Sequence, residues 1–206
     1  VRNFNFKQNA LAEIKNLTFV PVSDWLTKLM RKSVQKQRSI VTIHNGIDLE
    51  VFKPILKKDP KENKFRIIGV AAVWDARKGL DDFIRLGSLL PSDFEITLVG
   101  LDEQQIKRLP QGIIGITKTS NVSELAELYS NSDVFVNPTY SDNFPTTNIE
   151  ALACGTPVIT YRTGGSPEAV DEYTGVVIEQ GNIEALVEAI YMMKRKPLSS
   201  EACRKR

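Results

Sequence analysis

Short apolar runs alternate with amphipathic segments through most of the chain, from Phe65 to Lys194. The runs have the length and composition of buried strands, and the segments between them are long enough for helices. The predicted strands are 66–73, 94–100, 113–116, 133–138, 157–161 and 174–179, and predicted helices include 79–90, 103–109, 122–129 and 183–194. Strands separated by helices favour right-handed crossovers and a parallel sheet. We therefore predict an α/β fold, a Rossmann-like doubly wound parallel sheet with helices on both faces.

One helix of this pattern has well-marked ends. Pro145 suits the first helical position, where its missing N–H has no cost, and Gly155 followed by Pro157 ends the helix about three turns later. The backbone N–H groups of Thr146 and Thr147 then have no acceptor within the helix and lie at its positive end. This helix start is predicted to attract an anion such as phosphate.

Two acidic residues flank this helix start. Asp142 lies on the loop after the predicted strand 133–138, and Glu150 lies about one turn inside the helix. Carboxylates accept hydrogen bonds from vicinal hydroxyls, and open α/β sheets bind ligands at the carboxyl ends of their strands. The two acids therefore favour a polyhydroxylated ligand in one crevice. Hydrolysis is not predicted, because a glycosidase needs its acids on either side of one bond, whereas these are expected on one wall.

Two further loops are candidate ligand contacts. Arg77 and Lys78 stand directly before a predicted helix start, where a diphosphate would meet two cations and helix N–H groups. No glycine-rich fingerprint precedes them, so classical dinucleotide binding and P-loop chemistry are not predicted. Gly164 and Gly165 allow a backbone to approach a ligand closely, as a third candidate contact. The alternatives are ordinary surface charges for the cations and a simple tight turn for the glycines.

The motif at Asp142 and Glu150 resembles that of the retaining glycosyltransferases of family 4, GT-B enzymes that use nucleotide sugars. Their hallmark is an acid, seven residues and Glu, then an Ala-rich turn, Gly, a small residue and Pro-Val. Here it reads Asp142, seven residues, then Glu-Ala-Leu-Ala-Cys-Gly-Thr-Pro-Val from Glu150 to Val158. Most of the family has Glu at the first acid, and this chain has Asp. Asn-Gly-Ile-Asp at 45–48, followed by Phe-Lys-Pro at 52–54, is similar to the family's interdomain junction.

The resemblance implies the C-terminal, donor-binding half of a GT-B enzyme that transfers a sugar, with retention, to a glycan or lipid-linked acceptor. Glu150 would hold the ribose, Asp142 the transferred sugar, and Lys78 with Arg77 the diphosphate. The donor would be a nucleotide sugar such as a UDP-sugar or GDP-sugar, and no metal or other cofactor is expected. The implied catalytic residues are Asp142, Lys78 and Arg77, and the implied donor-binding residues are Glu150, Phe144, Pro145, Thr146, Thr147, Gly164, Gly165 and Thr117.

The chain is predicted to have three parts. Residues 1–39 resemble the end of the family's N-terminal acceptor domain, a strand plus helices; residues 40–196 form the nucleotide-sugar-binding domain; residues 197–206 begin a C-terminal helix that is cut short. Residues 1–38 hold eight Lys or Arg against two acids. A predicted helix at 25–32, capped by Ser23 or Asp24, has a basic face that fits either an anionic lipid surface or simple solvation. The lysine-rich stretch 56–64 is predicted to be a surface linker.

Composition excludes some classes of protein and leaves others open. No run of 18 apolar residues is present, so no membrane span is predicted, and the net charge of +2 does not favour a nucleic-acid partner. Two cysteines without metal-ligand spacing, and no signal peptide, suggest a cytoplasmic protein, with peripheral contact at the inner face of the membrane left open. Two alternatives remain: a nucleotide-sugar epimerase, which the single histidine disfavours, and a non-catalytic nucleotide-sugar-binding or scaffold module.

Overall fold

The computed structural model of the protein describes residues 2–33, 35–55 and 64–206. The chain divides into two compact units, residues 1–45 and 46–206. The predicted linker at 56–64 lies outside the described residues except for Lys64. No helix in the described part of the chain is both long enough and apolar enough to cross a membrane.

The first unit contains a two-stranded parallel sheet and two helices. Strand β1 (Thr18–Phe19) pairs with β2 (Ser39–Ile40), and helices α1 (Arg2–Ala12) and α2 (Asp24–Arg31) precede and separate them. Ser23 caps α2, because its side chain accepts a hydrogen bond from the N–H of Leu26 at 3.1 Å. The pairing of β2 with β1 joins residues 39–45 to this unit.

The second unit is built on a six-stranded parallel sheet, which confirms the predicted fold. Its strands are β3 (Phe65–Val70), β4 (Phe94–Val99), β5 (Ile113–Ile116), β6 (Val134–Asn137), β7 (Val158–Tyr161) and β8 (Gly175–Ile178). Their order across the sheet is β5-β4-β3-β6-β7-β8, with every pair parallel. The chain runs outward from β3 to β5 and then returns to place β6 on the other side of β3. The crevice between the carboxyl ends of β3 and β6 is therefore the switch point at which such sheets bind ligands.

Helices cover both faces of this sheet. They are α3 (Leu80–Leu89), α4 (Glu103–Lys107), α5 (Val122–Ser130), α6 (Thr146–Ala153), α7 (Ile183–Arg195) and α8 (Ser200–Lys205). Successive residues of a strand point to opposite faces, so Ile67 belongs to one buried cluster with residues of α3 and α7, and Ile68 to another with residues of α5, α6 and α8. Two cores on one sheet hold the strand ends, and hence the loops that follow them, in fixed positions.

The predicted helix start at Pro145 needs a small correction. Pro145 has φ −68° and ψ 120°, which is an extended conformation, so it is the N-cap and the helix begins at Thr146. In the first unit, the helix predicted at 25–32 is observed at Asp24–Arg31, with Ser23 as its cap. The two cysteines, Cys154 and Cys203, are buried in the second cluster and not disulfide-bonded. Burial raises the pKa of each thiol to about 11, so both remain protonated.

Candidate functional site

A cleft of about 400 Å³ opens at the switch point between β3 and β6. One wall comes from the loop and turn after β3, and the other comes from the loop after β6 and the start of α6. Seven of the predicted site residues line it: Arg77, Lys78, Asp142, Phe144, Pro145, Thr146 and Thr147. The other four, Glu150, Thr117, Gly164 and Gly165, are not part of its lining.

An ion pair spans the cleft. The Nζ atom of Lys78 is 2.7 Å from Oδ2 of Asp142, and the two side chains are 29% and 17% exposed. Lys78 ends a 3-10 turn, Ala76–Lys78, which is followed by Gly79 in the left-handed conformation, φ 73°. A side chain at Gly79 would lie 2.3 Å from the carbonyl oxygen of Pro138, so only glycine allows the turn after β3 to pack this closely on the loop after β6. The close backbone packing brings the cation and the acid together.

Arg77 lines the same cleft, but its charge is engaged locally. Its Nε and Nη2 atoms donate to Oδ2 of Asp75 at 3.0 and 2.6 Å, and its backbone N–H donates to Oδ1 at 2.9 Å. These hydrogen bonds hold the pKa of Asp75 below its usual value and raise the pKa of Arg77. Both side chains are exposed enough for water to weaken the pair. A ligand anion would have to compete with Asp75 for this guanidinium.

The start of α6, which forms part of the second wall of the cleft, has no side-chain cap. Pro145 stands at the N-cap and offers no hydrogen-bonding side chain to the first helix N–H groups. Those of Thr146 and Thr147 have no acceptor within the helix, and both residues line the cleft. These N–H groups are the positive end of the helix dipole, and with Lys78 they give the opening two sources of positive potential, an arrangement suited to an anionic ligand.

Glu150 lies behind the cleft wall. Its Oε2 accepts a hydrogen bond from the hydroxyl of Tyr129 at 3.1 Å, and a second hydrogen bond links it to the side chain of Thr146, which does line the cleft. Burial raises the pKa of Glu150, and the hydrogen bonds from Thr146 and Tyr129 oppose that shift. Burial and the neighbouring carboxylate also raise the pKa of Tyr129, which remains a donor. The second acid is thus half-buried and one side chain away from the opening that contains Asp142.

The two glycines support Asp142 from behind. The N–H of Gly165 donates to the backbone carbonyl oxygen of Asp142 at 3.2 Å. Gly164 has φ 53°, and a Cβ there would lie 1.8 Å from the same oxygen. The close approach expected of these glycines therefore involves the chain's own acid loop. A ligand contact by either glycine stays a prediction.

Thr117 and Trp74 lie away from the cleft lining. Thr117 is exposed and follows β5, which β4 separates from β3. Trp74 is 5% exposed and donates from Nε1 to the carbonyl oxygen of Val99 at 2.9 Å, so it is a core residue. Contact of Thr117 with a base remains a prediction.

A buried polar network fixes α6, and sequence reasoning did not find it. Asn137 Nδ2 donates to Oδ1 of Asn148 at 2.7 Å, and Asn148 Nδ2 donates to the carbonyl and hydroxyl oxygens of Ser166 at 3.1 Å each. Thr160 donates to the carbonyl of Asn137 at 3.0 Å and bonds the Ser166 hydroxyl at 2.6 Å. The signal was a polar residue, Asn137 or Thr160, within each of two otherwise apolar strands. The network fixes the first turn of α6 against the ends of β6 and β7.

Comparison with known families gives a match over most of the second unit. The family model for glycosyl transferases group 1 matches residues 51–206. That range contains all six strands of the larger sheet and all seven predicted residues that line the cleft.

Individual proteins agree with this match. A D-inositol 3-phosphate glycosyltransferase of Mycobacterium sp. (strain KMS) is 28% identical over 161 residues, 68% of this chain and 36% of its own length. Sucrose-phosphate synthase from Thermosynechococcus elongatus has a similar structure, with TM-score 0.76 and 26% identity over 91% of this chain and 50% of that one. Anabaena HepE in complex with UDP-glucose has TM-score 0.71 and 18% identity over 90% of this chain and 56% of that one, which shows the shared fold. This chain thus spans about a third of the length of the curated relative and about half of each solved chain.

Proposed function

The chain belongs to the glycosyl transferases group 1 family, and from that premise we propose that it is the donor-binding part of a retaining glycosyltransferase of family 4. Its reaction would transfer a sugar from a nucleotide sugar to a glycan or lipid-linked acceptor, with retention at the anomeric carbon. The similarity to a D-inositol 3-phosphate glycosyltransferase and to sucrose-phosphate synthase supports sugar transfer. HepE binds UDP-glucose on the same fold, which supports a nucleotide-sugar donor.

The observation that carries the proposal is the Lys78–Asp142 ion pair beside the uncapped start of α6. A diphosphate in the cleft would meet the ammonium of Lys78 and the N–H groups of Thr146 and Thr147. The sugar that follows it would meet the carboxylate of Asp142, which accepts hydrogen bonds from hydroxyls. One opening thus presents a cation to the charged part of the donor and an acid to its hydroxylated part.

Catalysis would depend on position and charge. The bond from the anomeric carbon to the diphosphate oxygen breaks, a bond from that carbon to an acceptor hydroxyl oxygen forms, and the hydroxyl proton passes to the leaving diphosphate. Negative charge grows on the diphosphate in the transition state. Lys78 and the α6 N–H groups would stabilise that charge, and Arg77 would join them after release from Asp75. Asp142 and the backbone of 144–147 would hold the sugar so that an acceptor bound elsewhere in the protein reaches the anomeric carbon on the same face as the departing diphosphate, as retention requires. We propose that these groups act without a metal, which predicts turnover that a chelator does not abolish.

The remaining residues would bind the nucleotide. Glu150 would accept hydrogen bonds from the ribose hydroxyls, which would compete with its present partners Tyr129 and Thr146. Gly164 and Gly165 would support the sugar side through the backbone of Asp142, and Thr117 would lie near the base. Peripheral contact with a membrane surface stays part of the proposal for the first unit.

Calorimetry with a panel of UDP-, GDP- and ADP-sugars and the free nucleoside diphosphates tests this function. We expect weak binding of at least one donor by the 206-residue chain and no turnover by the chain alone. Lys78→Ala should weaken both the sugar nucleotide and its diphosphate by about tenfold or more, because a charge-assisted contact is lost. Lys107→Ala, which changes a lysine of α4 outside the cleft, is the matched control. If calorimetry detects no binding of any donor or any diphosphate, the proposal is contradicted.

Two experiments separate the finer parts of the proposal. In the full-length protein, Glu150→Ala should abolish turnover if the protein is an enzyme, whereas a scaffold would keep its partner. NMR of the product reports the anomeric configuration, and inversion would contradict membership of the retaining family. An epimerase would instead convert the donor without any acceptor.

A further inference from the structure

Asp82 is a buried acid that the proposed chemistry does not use. It lies in the first turn of α3 and is 1% exposed. A buried carboxylate is stable only when hydrogen bonds or opposite charges compensate the loss of water. Its Oδ2 accepts hydrogen bonds from the hydroxyls of Tyr140 and Tyr161, each at 2.9 Å, and Nη1 of Arg85 is 3.8 Å from Oδ1. Two phenols on one carboxylate oxygen fix the relative position of three separate segments.

Both tyrosines come from segments that support the cleft. Tyr140 stands two residues before Asp142 on the loop after β6, and Tyr161 is the last residue of β7, three residues before Gly164. Their rings pack edge to face with centroids 5.6 Å apart. The loop after β7 in turn contacts the backbone of Asp142 through Gly164 and Gly165. Both tyrosines therefore act on the segment that presents Asp142.

The turn that carries Lys78 is attached to the same loop. The N–H of Tyr140 donates to the carbonyl oxygen of Arg77 at 2.6 Å, and the hydroxyl of Thr139 donates to that oxygen at 3.1 Å. One residue, Gly79, separates Lys78 from the start of α3, and Asp82 lies in the first turn of that helix. Asp82 is thus four residues from Lys78 in the chain, and its hydrogen bond to Tyr140 connects it to the loop that contains Asp142.

We propose that Asp82 is a positioning residue, which through Tyr140 and Tyr161 holds the Asp142 loop against the Lys78 turn so that sugar and diphosphate are bound in one geometry. This inference rests on the proposed function and deepens it. Neither Asp82 nor the tyrosines line the donor cleft. Asp82 and Tyr140 line a separate cavity of about 300 Å³ instead. They therefore act on the donor through Asp142 and Lys78 and not by contact.

The protonation of the phenols supports this arrangement. Burial raises the pKa of both Tyr140 and Tyr161, and the hydrogen bonds to Asp82 raise it further. Arg85 opposes the shift at both tyrosines, and Asp81 adds to it at Tyr140. Both hydroxyls are therefore protonated and able to donate at neutral pH.

A double-mutant cycle on the 206-residue chain, with donor affinity as the measured quantity, tests the inference. Calorimetry compares the wild type with Tyr140→Phe, Asp82→Ala, which removes the acceptor of both phenols, and the double variant. The ligands are the nucleotide sugar from the panel that the wild type binds and its free diphosphate. Tyr140→Phe should weaken the nucleotide sugar by about five- to tenfold, which is less than a full hydrogen bond to a charged group contributes, because Tyr161 still donates to Asp82. It should change the affinity for the free diphosphate by less than about twofold, because the backbone bond from residue 140 to Arg77 is kept.

The double variant decides whether Tyr140 acts through Asp82. If it does, Tyr140→Phe adds little to the loss already caused by Asp82→Ala, since either change removes the hydrogen bond between the two residues. Effects that add would mean that the tyrosine contacts the donor independently, and they would overturn the inference. Should Asp82→Ala fail to fold, Tyr140→Phe is combined with Tyr161→Phe instead. The pair removes both phenol donors, so it should weaken the nucleotide sugar more than either single change and keep the affinity for the free diphosphate within about twofold. An equal loss for both ligands would overturn the inference.

Controls separate positioning from stability. Tyr191→Phe removes the hydroxyl of a half-buried tyrosine that packs on Phe94, and Asp93→Asn removes a carboxylate paired with Lys194. Both should bind the donor as the wild type does. If the Asp82 and Tyr140 variants lose only thermal stability and keep the wild-type affinities, the inference fails while the proposed function stands. If the wild-type chain binds no donor or diphosphate, both fail.

Discussion

At the scale of single residues, Glu150 shows a conflict between folding and the proposed use. A carboxylate in a half-buried site is costly when charged, and here burial raises its pKa despite two hydrogen bonds. The folded state therefore holds a proton at Glu150 to a higher pH than the unfolded chain does. Stability from this group is fully present below the ordinary value of 4.5 and is lost as pH rises toward the raised value in the folded state.

We therefore expect Glu150→Gln to raise the free energy of unfolding at pH 7 by about 0.5–2 kcal/mol, because the amide carries no charge and can still accept from Tyr129. The variant should lack the fall in stability that the wild type shows as pH rises above 4.5. Donor affinity should fall by about tenfold, since an uncharged amide accepts more weakly from ribose hydroxyls. Urea unfolding at several pH values and calorimetry check the two effects. Glu127→Gln, an exposed acid on α5, is the control, and a destabilised Glu150→Gln would contradict the argument.

Asp75 gives a second prediction at this scale. Asp75→Asn keeps an oxygen that can accept from the N–H of Arg77, so the 3-10 turn keeps its cap, but the ion pair with the guanidinium is lost. The freed Arg77 should raise the affinity for a nucleoside diphosphate by about two- to fivefold, the range for an exposed ion pair, and the gain should shrink in high salt.

Calorimetry at two salt concentrations measures this effect. Asp102→Asn is the matched control, because Asp102 caps α4 and lies outside the cleft. Unchanged or weaker diphosphate binding by Asp75→Asn would mean that Arg77 does not reach the phosphate.

At the scale of elements, the loop after β7 sets the position of the loop after β6. Gly164→Ala would add a Cβ 1.8 Å from the carbonyl oxygen of Asp142, so one loop must move. We expect a loss of stability beyond the roughly 1–2 kcal/mol that alanine costs in the left-handed conformation, and a fall in nucleotide-sugar affinity of at least about tenfold. Thermal unfolding and calorimetry give both numbers.

Gly112→Ala supplies the matched comparison for this change. Gly112 also has positive φ, 97°, but a Cβ there meets nothing within 4 Å. The control should therefore show the backbone cost alone and keep full affinity. Equal behaviour of the two variants would show that the clash at Asp142 does not matter to the donor.

The elements were more predictable than the contacts between them. The strand β6 and the helix α6 follow from an apolar run and from Pro145, Gly155 and Pro157, all within one short stretch. That Lys78 and Asp142 share a cleft also follows, because both come after strands of a parallel sheet. The direction of Glu150 could not be predicted, since it depends on how α6 rotates about its axis to bury Ala151 and Leu152.

Other parts of the site depend on partners far apart in the chain. Asp82 meets Tyr140 and Tyr161 across 58 and 79 residues, and nothing in the local sequence of α3 marks that acid as buried. The sequence also did not decide whether the Arg77 guanidinium binds a ligand or pairs with Asp75, which is two residues away. Sequence patterns identify elements because periodicity is local, whereas burial of a polar side chain is decided by elements that only the fold brings together.

At the scale of the whole molecule, the two units differ in what they contain of the core and of the proposed donor cleft. Both core clusters begin at or after Ile47, and every residue that lines the cleft lies in 46–206. The first unit has 45 residues and a sheet of two strands with two residues each, which is too little to hold a fold alone in water.

We expect residues 46–206 on their own to unfold cooperatively, within a few degrees of the full chain, and to bind the nucleotide sugar with an affinity within about twofold, because core and cleft are both complete. Circular dichroism during heating and calorimetry measure the two quantities, and the isolated peptide 1–45 should show no cooperative transition. A fragment 46–206 that folds but loses the donor would mean that the first unit supplies part of the site. One that aggregates would mean that the first unit covers apolar surface of the second.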